Sequence, residues 1–170
     1  AFLLTVIFDL TIAIEIGLLL ALVLFMKRMS EVTHITVAKD QLDLSNEGEI
    51  YHEEEKLIVP QGVEVYEIDG PFFFGVANKF DECMKTIGDK PRIRIIRMRK
   101  VPFMDTTGLH NLESLYRLST KEKIQVILSG VNEQVRATLV KSSFARIIGE
   151  ANICSNIHEA LKRAEVCLKS

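Results

Sequence analysis

Pro102-Phe103-Met104-Asp105-Thr106-Thr107-Gly108-Leu109 decides the fold, because an apolar run stops at three oxygen-bearing side chains and then resumes with helical spacing. Upstream, Ile93, Ile95, Ile96 and Met98 have strand character, while downstream Leu109, Leu112, Leu115 and Leu118 recur every three residues along one helix face. The stretch reads as a strand ending at a helix N-terminus, with Thr106 and Thr107 at the first turn. Unpaired amides and the positive dipole end let that turn accept an added negative charge, such as a phosphate. Asp and Thr are also ordinary capping residues, so a purely structural role stays open.

The same alternation extends to either side. Val63 and Val65 alternate with Glu64, Tyr66 and Ile68 as in a strand, which Asp69-Gly70-Pro71 closes. Val76, Ala77, Phe80, Cys83, Met84 and Ile87 fall at helix spacing before a Gly88-Asp89-Lys90-Pro91 break. Residues 124–128 form a further strand ended by Ser129-Gly130; Val131, Val135 and Leu139 mark a helix, and Ile153, Ile157, Leu161, Ala164 and Leu168 mark the last one. Strands and helices alternating through short turns imply an α/β sandwich, a mixed sheet with helices packed on it. From Leu57 onward the chain is long enough to bury one core.

The N-terminal part has a different composition. In residues 1–26 the only charges are Asp9 and Glu15, and Lys27 and Arg28 follow at once. Roughly 20 apolar residues span a bilayer core, so this is read as a membrane segment. It does not read as a secretory signal, because its basic residues follow the apolar run, and Ala1 reads as the start of an excised fragment. Those basic residues place the following domain in the cytoplasm. Carboxylates inside a membrane are expensive unless packed against protein, so Asp9 and Glu15 point to a turn near Asp9 and a helix from about Thr11 to Met26, packed on helices outside this chain. Residues 1–28 are thus the C-terminal part of a transmembrane domain. Residues 29–56, with Ser45-Asn46-Glu47-Gly48-Glu49 and Glu53-Glu54-Glu55-Lys56, read as a polar connector, and residues 57–170 as a cytoplasmic domain.

Few catalytic chemistries fit. Asp105-Thr106-Thr107-Gly108 departs from the Asp-Thr-Gly of aspartic proteases by an extra Thr, and no second such motif exists to pair with it. Cys83, Cys154 and Cys167 are scattered and read as reduced core or helix thiols; His34, His52, His110 and His158 lack metal-ligand spacing. No Walker-type Gly-rich motif supports a tight nucleotide site. Arg92, Arg94, Arg97, Arg99 and Lys100 form the one basic cluster, but the formal net charge is −2, which argues against nucleic acid as a partner. The cluster reads as flanking a buried strand and keeping its ends soluble. A sharper alternative has Arg99 and Lys100 beside the Asp105 loop attracting an anionic partner, a nucleotide or lipid headgroups. No catalytic residue, metal or cofactor is expected.

Residues 95–109, Ile-Ile-Arg-Met-Arg-Lys-Val-Pro-Phe-Met-Asp-Thr-Thr-Gly-Leu, resemble the signature of the STAS domain shared by SulP-type sulfate transporters and bacterial anti-sigma-factor antagonists. Residues 8–17, Phe-Asp-Leu-Thr-Ile-Ala-Ile-Glu-Ile-Gly, resemble the last membrane segment of the same carriers. The resemblance implies secondary active transport of an inorganic anion or small carboxylate (sulfate, bicarbonate or dicarboxylate) by a full protein in the cell (inner) membrane. This chain would then be a regulatory, trafficking or dimerising part of that carrier. In the antagonist branch the matching loop carries a phosphorylated Ser or Thr. That makes Thr106 and Thr107 the phosphorylation candidates, and Phe103, Met104, Asp105, Gly108, His110, Arg99 and Lys100 the interaction loop. The expected partners are the rest of the membrane domain, the lipid bilayer, a second copy in the full-length carrier, and a cytosolic protein or weakly held nucleotide at the Asp105 loop. The competing reading is a membrane-tethered antagonist-like switch.

Overall fold

The computed structural model describes residues 10–32, 34–38, 41–42, 57–72 and 90–169. The helix expected over residues 76–87 and the turn expected near Asp9 lie outside the described residues. The chain divides into two compact units, Ala1–Val32 and Thr33–Ser170.

The first unit carries one helix, α1 (Leu10–Val32), which runs past the end expected at Met26. Its first 19 residues, Leu10–Arg28, are long and apolar enough to cross a membrane, at about 28 Å for a rise of 1.5 Å per residue. Consecutive residues such as Leu18, Leu19 and Leu20, and Leu22 through Met26, are all exposed. An apolar surface on every side of a helix, rather than along one stripe, suits lipid or neighbouring helices better than a water-soluble core.

The second unit is built on a five-stranded sheet. Its strands are β1 (His34–Ala38), β4 (Val63–Asp69), β5 (Ile93–Lys100), β6 (Gln125–Ser129) and β7 (Ile153–Cys154), in the spatial order β1-β4-β5-β6-β7. β1 is antiparallel to β4 and the other pairs are parallel, so the sheet is mixed as expected. Two short strands, β2 (Gln41–Leu42) and β3 (Leu57–Ile58), pair separately. The helices are α2 (Thr106–Lys121), α3 (Glu133–Lys141), α4 (Phe144–Ile148) and α5 (Ile157–Lys169).

Alternation along the strands sends side chains to two cores. Tyr66, Ile68, Ile96, Met98, Val126 and Leu128 pack with residues of α2, α3 and α4 on one face. Val63, Val65, Ile93, Ile95 and Ile127 pack with Ile157, Ala160, Leu161 and Ala164 of α5 on the other. Burial on both faces accounts for the near-continuous apolar reading of these parallel strands.

Three expectations change. His34–Ala38, read as connector, is the edge strand β1: Ile35 and Val37 pack against the core cluster while Thr36 between them is exposed, so the sheet begins well before Leu57. On α2, Leu118 is 50% exposed and Ser119 is fully buried instead, because strict three-residue spacing drifts off a 3.6-residue turn by the fourth repeat. Ile153, assigned to the last helix, belongs to β7 and precedes α5.

Candidate functional site

The site is the connection from β5 to α2, at the C-terminal ends of the parallel strands. Val101 is fully buried, and its amide closes a turn onto the Met98 carbonyl at 2.9 Å, ending the strand. Phe103 then accepts a 3.2 Å hydrogen bond from the Phe72 amide, and Met104 forms an isolated bridge with Phe72. Met104 is buried beneath the loop and Phe103 is 40% exposed above it.

Asp105 is the N-cap of α2. Its backbone is extended, and its Oδ1 accepts from the Gly108 amide at 2.6 Å while its carbonyl accepts from Leu109 at 3.0 Å. One otherwise unpaired donor of the first turn is thereby satisfied. Thr106 and Thr107 follow as the first two helical residues, and both are exposed, as is His110 one turn on. Gly108 is fixed by close approach: a Cβ there would overlap the Phe72 carbonyl oxygen and lie 3.0 Å from Met104 Cγ. A peptide group of the turn after β4 therefore lies directly against the first turn of α2.

The basic residues are distributed differently from the sequence reading. Arg94 and Arg97 do not flank the strand; they are buried within it, at 4% and 3% exposure. Arg94 is accommodated because its Nη1 donates to Ser119 Oγ at 2.7 Å and its guanidinium lies 5.2 Å from the Tyr66 ring centre. Tyr66 in turn donates to Glu64 at 2.9 Å, and burial, with that acceptor, raises its phenol well above the usual range. Arg97 lies 3.7 Å from Glu67, and burial lowers its pKa from the usual value, with the neighbouring Arg99 charge adding to the effect. Lys100 is drawn to Glu67 at 3.5 Å and Asp69 at 3.4 Å, so its charge is already met by β4 carboxylates. Arg99 is exposed at the end of β5 and its backbone packs against Gly130, where a Cβ would lie 3.0–3.2 Å from Arg99 atoms. Only Phe103, Met104, Asp105, Thr106, Thr107, Gly108 and His110 of the expected set form one continuous segment at the helix start.

Asn132 was not legible in the sequence. Its Oδ1 caps α3 by accepting from Val135 N at 2.8 Å, and its Nδ2 donates to Val101 O at 2.7 Å and Pro102 O at 3.3 Å. Cys154 is buried, which raises its thiol pKa, and among the described residues no group of His, Cys, Asp and Glu could hold a metal ion. The site offers backbone dipoles, exposed hydroxyls and an exposed aromatic ring.

The STAS domain model matches residues 56–160. Sulfate transporter 1.1 of Arabidopsis thaliana is 32% identical over 165 residues, an alignment covering 88% of this chain and 25% of that protein, so the chain spans about a quarter of the relative's length. Among solved structures, a sulfate transporter family protein from Wolinella succinogenes is 37% identical, with a TM-score of 0.63 over 67% of this chain and 93% of that one. Murine Slc26a9, an anion transporter solved in the inward-facing state, matches 97% of this chain and 27% of its own at a TM-score of 0.68. Its 18% identity makes that likeness one of fold. The curated relatives are sulfate and bicarbonate transporters.

Proposed function

This chain belongs to the STAS domain family, and on that premise we propose that it is the cytoplasmic regulatory and interaction domain of a secondary active anion transporter, joined to the last segment of the carrier's membrane domain. The observation that carries this reading is the combination, in one chain, of a helix whose 19-residue apolar stretch exposes its large apolar residues on every side and a STAS sheet that begins at His34. Lys27 and Arg28 close the apolar stretch and favour the cytoplasmic side for the domain C-terminal to it. On this reading residues 1–28 end the membrane domain and the cytoplasmic domain starts at β1. The anion site lies in helices outside this chain, and the anion is of the sulfate, bicarbonate or dicarboxylate class. The domain itself carries out no turnover.

The loop from Phe103 to Gly108 is its recognition surface, with a cytosolic protein or a second copy of the carrier as partner. A tethered switch phosphorylated on Thr106 or Thr107 is the second reading, favoured by the exposure of both residues at a helix start. Topology tests the first. A fluorescent protein fused after Ser170 of the complete carrier should fold and glow while an alkaline phosphatase fusion stays inactive; an active phosphatase would place the domain on the wrong side and end the proposal.

A further inference from the structure

The β5–β6 ladder ends at Arg97 and Ser129, so the carbonyls of Val101 and Pro102 lie beyond the reach of strand pairing with β6. Asn132 Nδ2 fills that gap at 2.7 and 3.3 Å, and the same side chain caps α3 through Oδ1. Val101 is fully buried, and leaving its carbonyl without a donor would be costly, so the part-buried bond to it holds the chain where it leaves the sheet, with the exposed bond to Pro102 beside it. On its other flank the loop is held by Phe72, through the Phe103 carbonyl and the close approach at Gly108.

We propose that Asn132 is a positioning residue for the recognition loop, clamping its entry and tying its conformation to the N-terminus of α3. A charge or partner that displaces the loop at Thr106 and Thr107 is then felt at α3 as well, and Glu133 and Gln134, in that helix's first turn, become part of the surface a partner reads. The inference rests on the loop being the recognition surface, but the clamp itself is tested separately.

Asn132→Asp separates the two roles, because it keeps an acceptor for the Val135 amide and gives up both donors. Hydrogen exchange on the full chain in detergent micelles supplies the reporters. The amides of Phe72, Gly108 and Leu109 bond to loop oxygens, and those of Val135 and Arg136 bond to Asn132. Asn132→Asp should speed exchange at the first three by about tenfold, the worth of roughly one hydrogen bond, while leaving the last two unchanged. Asn132→Ala should speed both sets. Unchanged exchange at Phe72, Gly108 and Leu109 in Asn132→Asp overturns the clamp.

In the full carrier, Thr107→Glu and Asn132→Asp should combine non-additively in transport rate or partner recovery, as residues acting through one element do. Additive effects overturn the coupling to α3. Absence of any Thr107→Glu effect removes the regulatory reading of the loop, and the exchange result then still decides the clamp.

Discussion

Arg94 Nη1 donates to Ser119 Oγ across 2.7 Å of buried space, joining the second residue of β5 to the last turn of α2. The helix that starts at the β5–α2 loop is thus tied to the central strand near its C-terminal end, while the Asp105 cap closes its first turn. Ser119 is fully buried, and Arg94 Nε already lacks an acceptor among the described residues.

Ser119→Ala should therefore destabilise the protein by about 1–3 kcal/mol, the cost of leaving a buried donor of a charged group unsatisfied. Replacing both partners, as Ser119→Ala with Arg94→Met, should recover part of that loss. Denaturant midpoints measure both variants, and an unchanged midpoint for Ser119→Ala would mean that the contact contributes nothing net.

Gly108→Ala forces a methyl group into the Phe72 carbonyl, a backbone atom that cannot move aside as a flexible side chain would. A loss of about 3 kcal/mol is expected, at the upper end for overpacking, whereas Thr107→Ala, exposed one residue earlier, should stay within about 0.5 kcal/mol. Equal effects of the two on melting temperature would contradict the close approach.

Alkaline pH should weaken the fold. Burial raises the pKa values of both Cys154 and Tyr66, so the native state holds these protons more tightly than the unfolded chain does. Above the unfolded Cys value of about 8.5, and again above the unfolded Tyr value of about 10, the unfolded state loses protons first and stability falls. Below about pH 8 these two groups add no slope. Urea midpoints between pH 7 and 10.5 should decline, with a shallower decline in Cys154→Ala; a midpoint that rose across this window would contradict the burial of both groups.

Residues 31–170 should be folded and monodisperse without detergent, because the sheet unit is compact without the apolar helix. Circular dichroism and gel filtration check this. An unfolded truncated chain, alongside a longer chain folded in plain buffer, would make α1 part of a soluble core.

The sequence made legible the elements that hydrophobic period controls. β4, β5, α2, β6, α3 and α5 follow apolar spacing, and the β5–α2 connection follows a strand pattern giving way to a helical one at Asp105. The features that escaped were set by tertiary partners. Arg94 and Arg97 read as solvent-facing because arginine on a strand usually is, and the placement of Tyr66, Ser119 and Glu67 helps make their burial tolerable. β1 is five residues within a polar stretch, and its pairing with β4 decides its state. Asn132 acts through backbone carbonyls some thirty residues away, a relation that leaves no periodic trace.

Anion uptake by the complete carrier in proteoliposomes, with Thr107 native and as Thr107→Glu, is the decisive experiment for a carrier regulated through its β5–α2 loop. A phosphate-like charge at an exposed helix start adds about −1 to −2 charges without a clash, so the fold should tolerate it. Saturable uptake of sulfate, bicarbonate or a dicarboxylate is expected. Thr107→Glu should change its rate, while the melting temperature of residues 31–170 moves by only a few degrees. No uptake of any of the three anions would contradict the carrier assignment, and identical uptake by both proteins would contradict the regulatory role of the loop.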